Sequence, residues 1–326
     1  MEFEFTPNEN FKYFFQWMTR RQQIFWNRLN GDNPPYTLDP ILLKHKFTNV
    51  YRSLDRVSQY MLRFVIYNGK QYSREDMFWR ILIFKHFNKI DTWEYILSHL
   101  GDVTLETRKD QLFPILHRYT QMGGKPYSNA FLLAASIMQS KPLMERYGLK
   151  AGNSKYEIYL SIFEKHFLED GFMNTILSSK SLEEIYIHLR ETPAFANFLA
   201  MQYATDFNWS EIFDFDENSF IVESVGSQRG INRTFTFEGK PDYPSVIKWV
   251  HHEFHKLLTI YNCSFKPLPN YMPSLMDIQN CFCETDKYMR GLDISSGVGG
   301  KRIKAKFREN KSKIEYTFPP SWNVNL

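Results

Sequence analysis

A chain of 326 residues, 43% hydrophobic and 23% charged, has the composition of an ordinary soluble protein, long enough to bury one large core or two closely packed ones. The net charge of +4, with a pI near 8.7, is a mild basic excess that suits a DNA partner without demanding one, and the aromatic share of 17% is high enough to fill a core and still supply stacking surfaces. Three cysteines (Cys263, Cys281, Cys283) with no C-x-x-C pair argue against a disulfide scaffold and an all-cysteine metal site; a polar start (MEFEFTPNEN) and no apolar run of about 18 residues point to a reducing cytoplasm and no membrane.

In chain order, residues 8–29 place Phe11, Phe14, Phe15, Met18, Ile24 and Phe25 at helical spacing, and the turn cluster from Asn30 to Pro35 closes that helix. Arg20, Arg21 and Arg28 on it read as a solvated face. A second long helix is predicted from about 40 to 67, where Val50, Leu54, Val57, Met61 and Val65 form one apolar stripe. Asn49, Arg52, Arg56, Tyr60 and Arg63 fall on another side, which is either solvated or a wall of a DNA- or base-binding cleft. Residues 72–100 read as two amphipathic helices with Trp79, Ile83, Phe84 and Phe87, then Trp93, Ile96 and Leu97, as core candidates. Helical periods continue over 104–121, 127–147, 154–167, 173–177 and 182–190. With no repeat and no run of alternating strands up to this point, the class is all-α.

After Pro193 a further helix carries Gln202 and Asp206 one turn apart, either as an internal pair or as a second wall of the cleft. Ser224-Val225-Gly226 then reads as a turn, with a short helix from Ser227. That arrangement aims free N–H groups at a phosphate, and Arg229 and Arg233 add charge. Residues 244–261 predict one amphipathic helix whose His251 and His255 stand i, i+4 with no third ligand evident. In LMDIQNCFCETDKY (275–288) Asp277 opens a helix; its S-x-x-[DE] spacing from Ser274 makes it either a capping-box acid or a carboxylate available for chemistry. Beyond Arg290 the chain turns Gly-rich, then basic (Lys301, Arg302, Lys304, Lys306, Arg308, Lys311, Lys313), then aromatic, and such a tail beside a DNA cleft would add sequence-independent phosphate contacts.

Four blocks in this order, FTNVYRSLDRVSQY (47–60), QYATDFNWS (202–210), SVGSQRGI (224–231) and DIQNCFCETDKY (277–288), resemble the helical domain of the hydroxymethyluracil DNA kinases. That family is also called the alpha-glutamyl or putrescinyl thymine pyrophosphorylases and is related to helix-hairpin-helix DNA glycosylases. The resemblance covers most of the chain. Ser224-Val225-Gly226-Ser227 stands where the family usually has Gly-Pro-Gly-Ala, and Thr285 where an aromatic usually precedes Asp286-Lys287-Tyr288. It implies an all-α, helix-hairpin-helix glycosylase-like domain over 1–290, with a hairpin at about 220–235 and an active-site helix at about 275–289. A short basic tail at 291–326, which could include β structure, follows.

The resemblance also implies roles. Asp277 would be the catalytic carboxylate; Asn49, Tyr51, Arg52, Arg56, Gln202 and Asp206 would read the base; Gly226, Arg229, Gly230 and Arg233 would hold DNA phosphates; Glu284, Asp286 and Lys287 would support Asp277. The partner expected is DNA, double-stranded and carrying phage base modifications, with neither cofactor nor metal. The first activity expected is a glycosylase that flips and excises a modified pyrimidine in defence against phage, an ionised Asp277 stabilising the positive charge that develops on the sugar. The alternatives are a transferase that replaces pyrophosphate on a pyrimidine methyl group with an amine, and a non-catalytic DNA-binding module.

Overall fold

A computed structural model of the chain describes residues 4–128, 140–193, 195–292, 303, 305–308 and 315–326. The chain divides into two compact units, Met1–Gln59 with Phe220–Leu326, and Tyr60–Ser219. The first unit starts with strand β1 (Phe5–Pro7) and helices α1 (Lys12–Leu29), α2 (Pro40–Lys44) and α3 (Arg56–Tyr60), at whose end the second unit begins. That second unit holds α4 (Arg74–Phe87), α5 (Ile90–Leu100), α6 (Lys109–Gln121), α7 (Lys141–Arg146), α8 (Lys155–Phe163), α9 (Phe172–Leu177), α10 (Leu182–Glu191) and α11 (Asn197–Asn208). The chain then returns to the first for α12 (Val225–Thr234), β2 (Phe235–Phe237), α13 (Tyr243–His252), α14 (Phe254–Ile260) and α15 (Leu275–Gly291). The class is all-α, as expected: among the described residues the only sheet is the antiparallel pair β1–β2, with Phe5 opposite Phe237 and Pro7 opposite Phe235.

In the first unit α15 is the axis. Nearly every residue from Leu275 to Met289 is buried, and α1 lays its aromatic face along it, the Phe14 ring 4.6 Å from that of Phe282. Phe11 sits 4.7 Å from Phe235, which meets Trp249 edge-on at 5.9 Å. Such ring pairs contribute about 0.5–1.5 kcal/mol each beyond area burial. In the second unit α4 is buried over most of its length, and Phe78 stacks on Phe207 of α11 at 4.4 Å. Arg80, fully buried, lies 4.0 Å over the Tyr72 ring, donates to the Val65 and Val103 carbonyls (3.2 and 2.8 Å) and pairs with Asp102.

Two predicted helices are broken. The one at 40–67 stops at Lys44, and residues 45–51 are not helical. The cause is local: Asp55 Oδ1 accepts from both the backbone N–H and the side-chain amide of Asn49 (2.9 Å each), and that amide also donates to the Leu54 carbonyl (3.0 Å). Side-chain bonds of this kind satisfy the backbone groups a helix would use. Val50, Leu54, Met61 and Val65 are buried all the same. The predicted helix at 244–261 is interrupted at Glu253, between α13 and α14. Of the predicted 127–147 helix, α7 covers the end, and 129–139 lie outside the described residues, as do Lys301, Arg302, Lys304, Lys311 and Lys313 of the basic tail. Among the described residues no helix is long and apolar enough to cross a membrane, and no group of three or more His, Cys, Asp or Glu could hold a metal ion.

Candidate functional site

Ser274 begins α15 with a reciprocal capping box. Its Oγ accepts from the Asp277 N–H (3.3 Å), and Asp277 Oδ2 accepts from the Ser274 N–H (3.0 Å) and hydroxyl (3.1 Å). The other oxygen, Oδ1, accepts from the backbone N–H of Arg52 at 2.7 Å. Asp277 is therefore a cap and, through its second oxygen, an anchor for the Arg52 segment, and it is 3% exposed. Burial raises its pKa to about 6, against the opposing pull of the Arg52 and Ser274 N–H groups and the Arg52 charge. A folded pKa above the unfolded value of about 3.9 means that the folded state holds the proton more tightly. Stability accordingly falls as pH rises through that window, by about 3 kcal/mol in total. Asp277→Asn, which cannot titrate, is expected to flatten the decline; urea unfolding of both proteins at pH 4 and pH 7 measures it, and an equal decline in both would overturn the assignment.

The same face of α15 continues the grip one and two turns on. Asn280, which the sequence reading missed, donates to Thr48 Oγ1 (3.0 Å) and to the Asn49 carbonyl (3.2 Å). Glu284 accepts from the Thr48 N–H (3.2 Å) and pairs with Lys287 (2.6 Å), whose ammonium lies 4.5 Å from the centre of the Phe47 ring. Arg21 of α1 adds a bond to the Thr48 carbonyl (2.9 Å). Asp277, Asn280 and Glu284 stand at i, i+3 and i+7, one helical face, and that spacing is the signal by which Asn280 could have been found. Together they fix the backbone of residues 48–52.

This grip brings Asn49, Tyr51 and Arg52 to α15 but leaves two of the three unsuited to read a base. The Asn49 amide is used by Leu54 and Asp55. Tyr51 is fully buried, its hydroxyl donating to the Tyr271 carbonyl (3.0 Å) and accepting from the Leu268 N–H (3.1 Å). Arg52 is 7% exposed, whereas Arg56 is exposed. Gln202 and Asp206 belong to the second unit, where both are buried and Asp206 pairs with Lys85.

At the expected phosphate-gripping hairpin the chain forms a helix packed on α15. Ser224 caps α12, its Oγ accepting from the Ser227 N–H (3.1 Å), while Ser227 Oγ accepts from the Ser224 N–H (2.8 Å). The helix thus starts at Val225 and takes Gly226 into its first turn. Gly226 and Gly230 both face α15. A Cβ on Gly230 would stand 2.6 Å from the Phe282 carbonyl carbon and closer still to its oxygen; one on Gly226 would overlap the Cys283 sulfur. The glycines let two helix backbones touch. Arg233, expected at a phosphate, is 3% exposed and bonds Asp286 Oδ1 through Nε at 2.7 Å. Asp286, 1% exposed, also draws Arg290 (3.2 Å) and Arg229 (3.5 Å), so it centres an ionic cluster rather than supporting Asp277. Arg229 keeps 39% of its side chain exposed.

A second polar cluster went unread in the sequence. Arg20, expected on a solvated face, donates to Asp39 (2.6 Å) and to the Tyr288 hydroxyl (2.7 Å), and that hydroxyl donates to Asp39 (2.6 Å). Asp39 caps α2 ahead of Pro40, a Pro-at-N1 signal present in the sequence. Arg20 and Asp39, with Gln23, Asn27 and Tyr36, line a shallow pocket of about 650 Å3.

The family described as "5-hmdU DNA kinase, helical domain" matches residues 8–295. A protein of Bacillus phage SP10 called 5-hmdU DNA kinase is 22% identical over 323 residues, which cover 94% of this chain and 50% of the relative. The chain thus spans about half the length of the curated relative it matches. No solved structure matches. Both names denote phosphorylation of a modified base in DNA, which overturns the expectation of a glycosylase, and with it base flipping and hydrolysis. Nor do they name the amine-transfer alternative.

Proposed function

The chain belongs to the family of the 5-hmdU DNA kinase helical domain, and from that premise we propose that it acts in phosphorylation of 5-hydroxymethyluracil in DNA, as the part that binds the DNA and holds the modified base. The match over residues 8–295 carries this reading, and the relative from Bacillus phage SP10 supports it across almost the whole chain. In such a reaction the hydroxymethyl oxygen attacks the γ-phosphorus of a nucleoside triphosphate, the bond to the β-phosphate oxygen breaks, the diphosphate leaves, and the hydroxyl proton passes to a base. Because that step is mostly positioning and charge stabilisation, the DNA must be held still. Exposed Arg56 and half-exposed Arg229 suit backbone phosphates, and Asp277 serves as a positioning residue that fixes the Arg52 amide and so the approach to Arg56.

Equilibrium binding to two duplexes that differ only in one 5-hydroxymethyluracil for thymine tests the reading. One net hydrogen bond to the hydroxyl, about 1 kcal/mol, makes the modified duplex bind about fivefold tighter. Equal affinity for the two duplexes would sink it. Mass analysis of the nucleosides after incubation with a nucleoside triphosphate reports phosphoryl transfer in the same samples.

A further inference from the structure

We infer that residues 44–46 and 305–308 form a cationic ribbon that binds the phosphate backbone of double-stranded DNA irrespective of sequence, an inference that rests on the DNA-binding role proposed above and gives it a surface. Two stretches far apart in sequence meet here. The Lys46 N–H donates to the Ala305 carbonyl (3.1 Å), the Phe307 N–H donates to the Lys44 carbonyl (3.1 Å), and His45 stands opposite Lys306 in an antiparallel bridge. This register sets Lys44 across from Phe307 and Lys46 across from Ala305. The bridge puts Lys306 on the face of His45 and its neighbour Lys46 on the opposite face, with Lys44 at the end of α2 before it and Arg308 after it.

All four cationic residues are exposed. Neither LKHKF (43–47) nor AKFR (305–308) contains an acid, so nothing within the ribbon offsets the charge. The nearby Lys287 is matched by Glu284. His45, between the strands, has its pKa lowered by burial and then by the charges of Lys44, Lys287 and Lys306, the mark of a positive field at this edge. Cations on both faces also decide the partner. A flat anionic lipid surface meets one face of a ribbon, whereas a DNA groove presents a phosphate strand on each side, and the major groove, about 12 Å wide, admits a two-stranded ribbon.

The test is a salt series of equilibrium binding to thymine and 5-hydroxymethyluracil duplexes, with the full chain and with K44A/K46A/K306A/R308A. Each phosphate contact adds about 0.9 to the slope of log affinity against log salt, so the variant's slope is expected to be shallower by about 3.6 on both duplexes. Should the fourfold variant fail to give a native melting curve, K306A/R308A alone is expected to lower the slope by about 1.8. An unchanged slope in a folded variant overturns the ribbon and leaves any preference for the modified duplex standing. A shallower slope with no such preference keeps the ribbon and sinks the proposed function. Loss of binding to anionic vesicles with DNA binding intact also overturns the inference.

Discussion

Replacing Asp286 with alanine is expected to lower the stability of the first unit by about 3–5 kcal/mol, the usual effect of removing one partner from a buried ion pair. The carboxylate is 1% exposed and faces three guanidinium groups, of Arg233 at 2.7 Å, Arg290 at 3.2 Å and Arg229 at 3.5 Å. Removing it strips the deeply buried Arg233 of this counter-charge and leaves three cations repelling one another. Against a total of about 5–15 kcal/mol for a folded domain, that loss is large enough to populate unfolded chains under mild conditions. Urea unfolding measures it. Replacing Arg233 with methionine in the same chain should restore much of the loss, since a buried pair exchanged for apolar groups is often neutral. A drop below about 1 kcal/mol in Asp286→Ala, or no recovery in the double variant, would show that the cluster does not hold α12 to α15.

Gly230→Ala is the second large effect, and its sign is the informative part. Helix propensity alone would make alanine better by about 0.5–1 kcal/mol. The new Cβ, however, would stand 2.6 Å from the Phe282 carbonyl carbon, and a backbone carbonyl inside a buried helix cannot swing aside. Overpacking costs about 1–3 kcal/mol where side chains take the strain, and here the backbone takes it. We therefore expect a net loss of about 2 kcal/mol. At Gly226 the obstacle is chiefly the Cys283 sulfur, the end of a side chain. Gly226→Ala combined with Cys283→Ala should thus be close to the parent protein. A stabilised Gly230→Ala would refute the close approach of the two helices.

These glycines also show what the sequence made legible and what it hid. A glycine between Val225 and Ser227 reads as a turn by local rules, yet Gly226 and Gly230 are spaced to share one helix face, and only α15 reveals that the shared face is a contact. The aromatic period of α1 and the Ser274–Asp277 spacing of α15 were legible because caps and apolar stripes are local. The segment 45–55 was not, because its apolar residues keep helical spacing while Asn49 and Asp55 take over the backbone bonds. Nor could spacing show that both oxygens of Asp277 are occupied. That depends on Arg52, from far along the chain, arriving at 2.7 Å. The ribbon at Lys44–Lys46 was hidden for the same reason, since its second strand is supplied from beyond residue 300.

The first unit is built from two pieces of chain with the whole of residues 60–219 between them, and this has a consequence for how the molecule comes into being. Helix α1 leaves the ribosome with Phe14 and Phe15 uncovered, and its partner ring, Phe282, is synthesised only after the intervening unit is complete. Contacts of such long sequence separation form slowly, whereas the second unit, continuous in sequence and rich in contacts between neighbouring helices, can assemble as it emerges. The nascent chain therefore carries an unburied aromatic helix until α15 emerges, and chaperone occupancy during translation should centre on that helix.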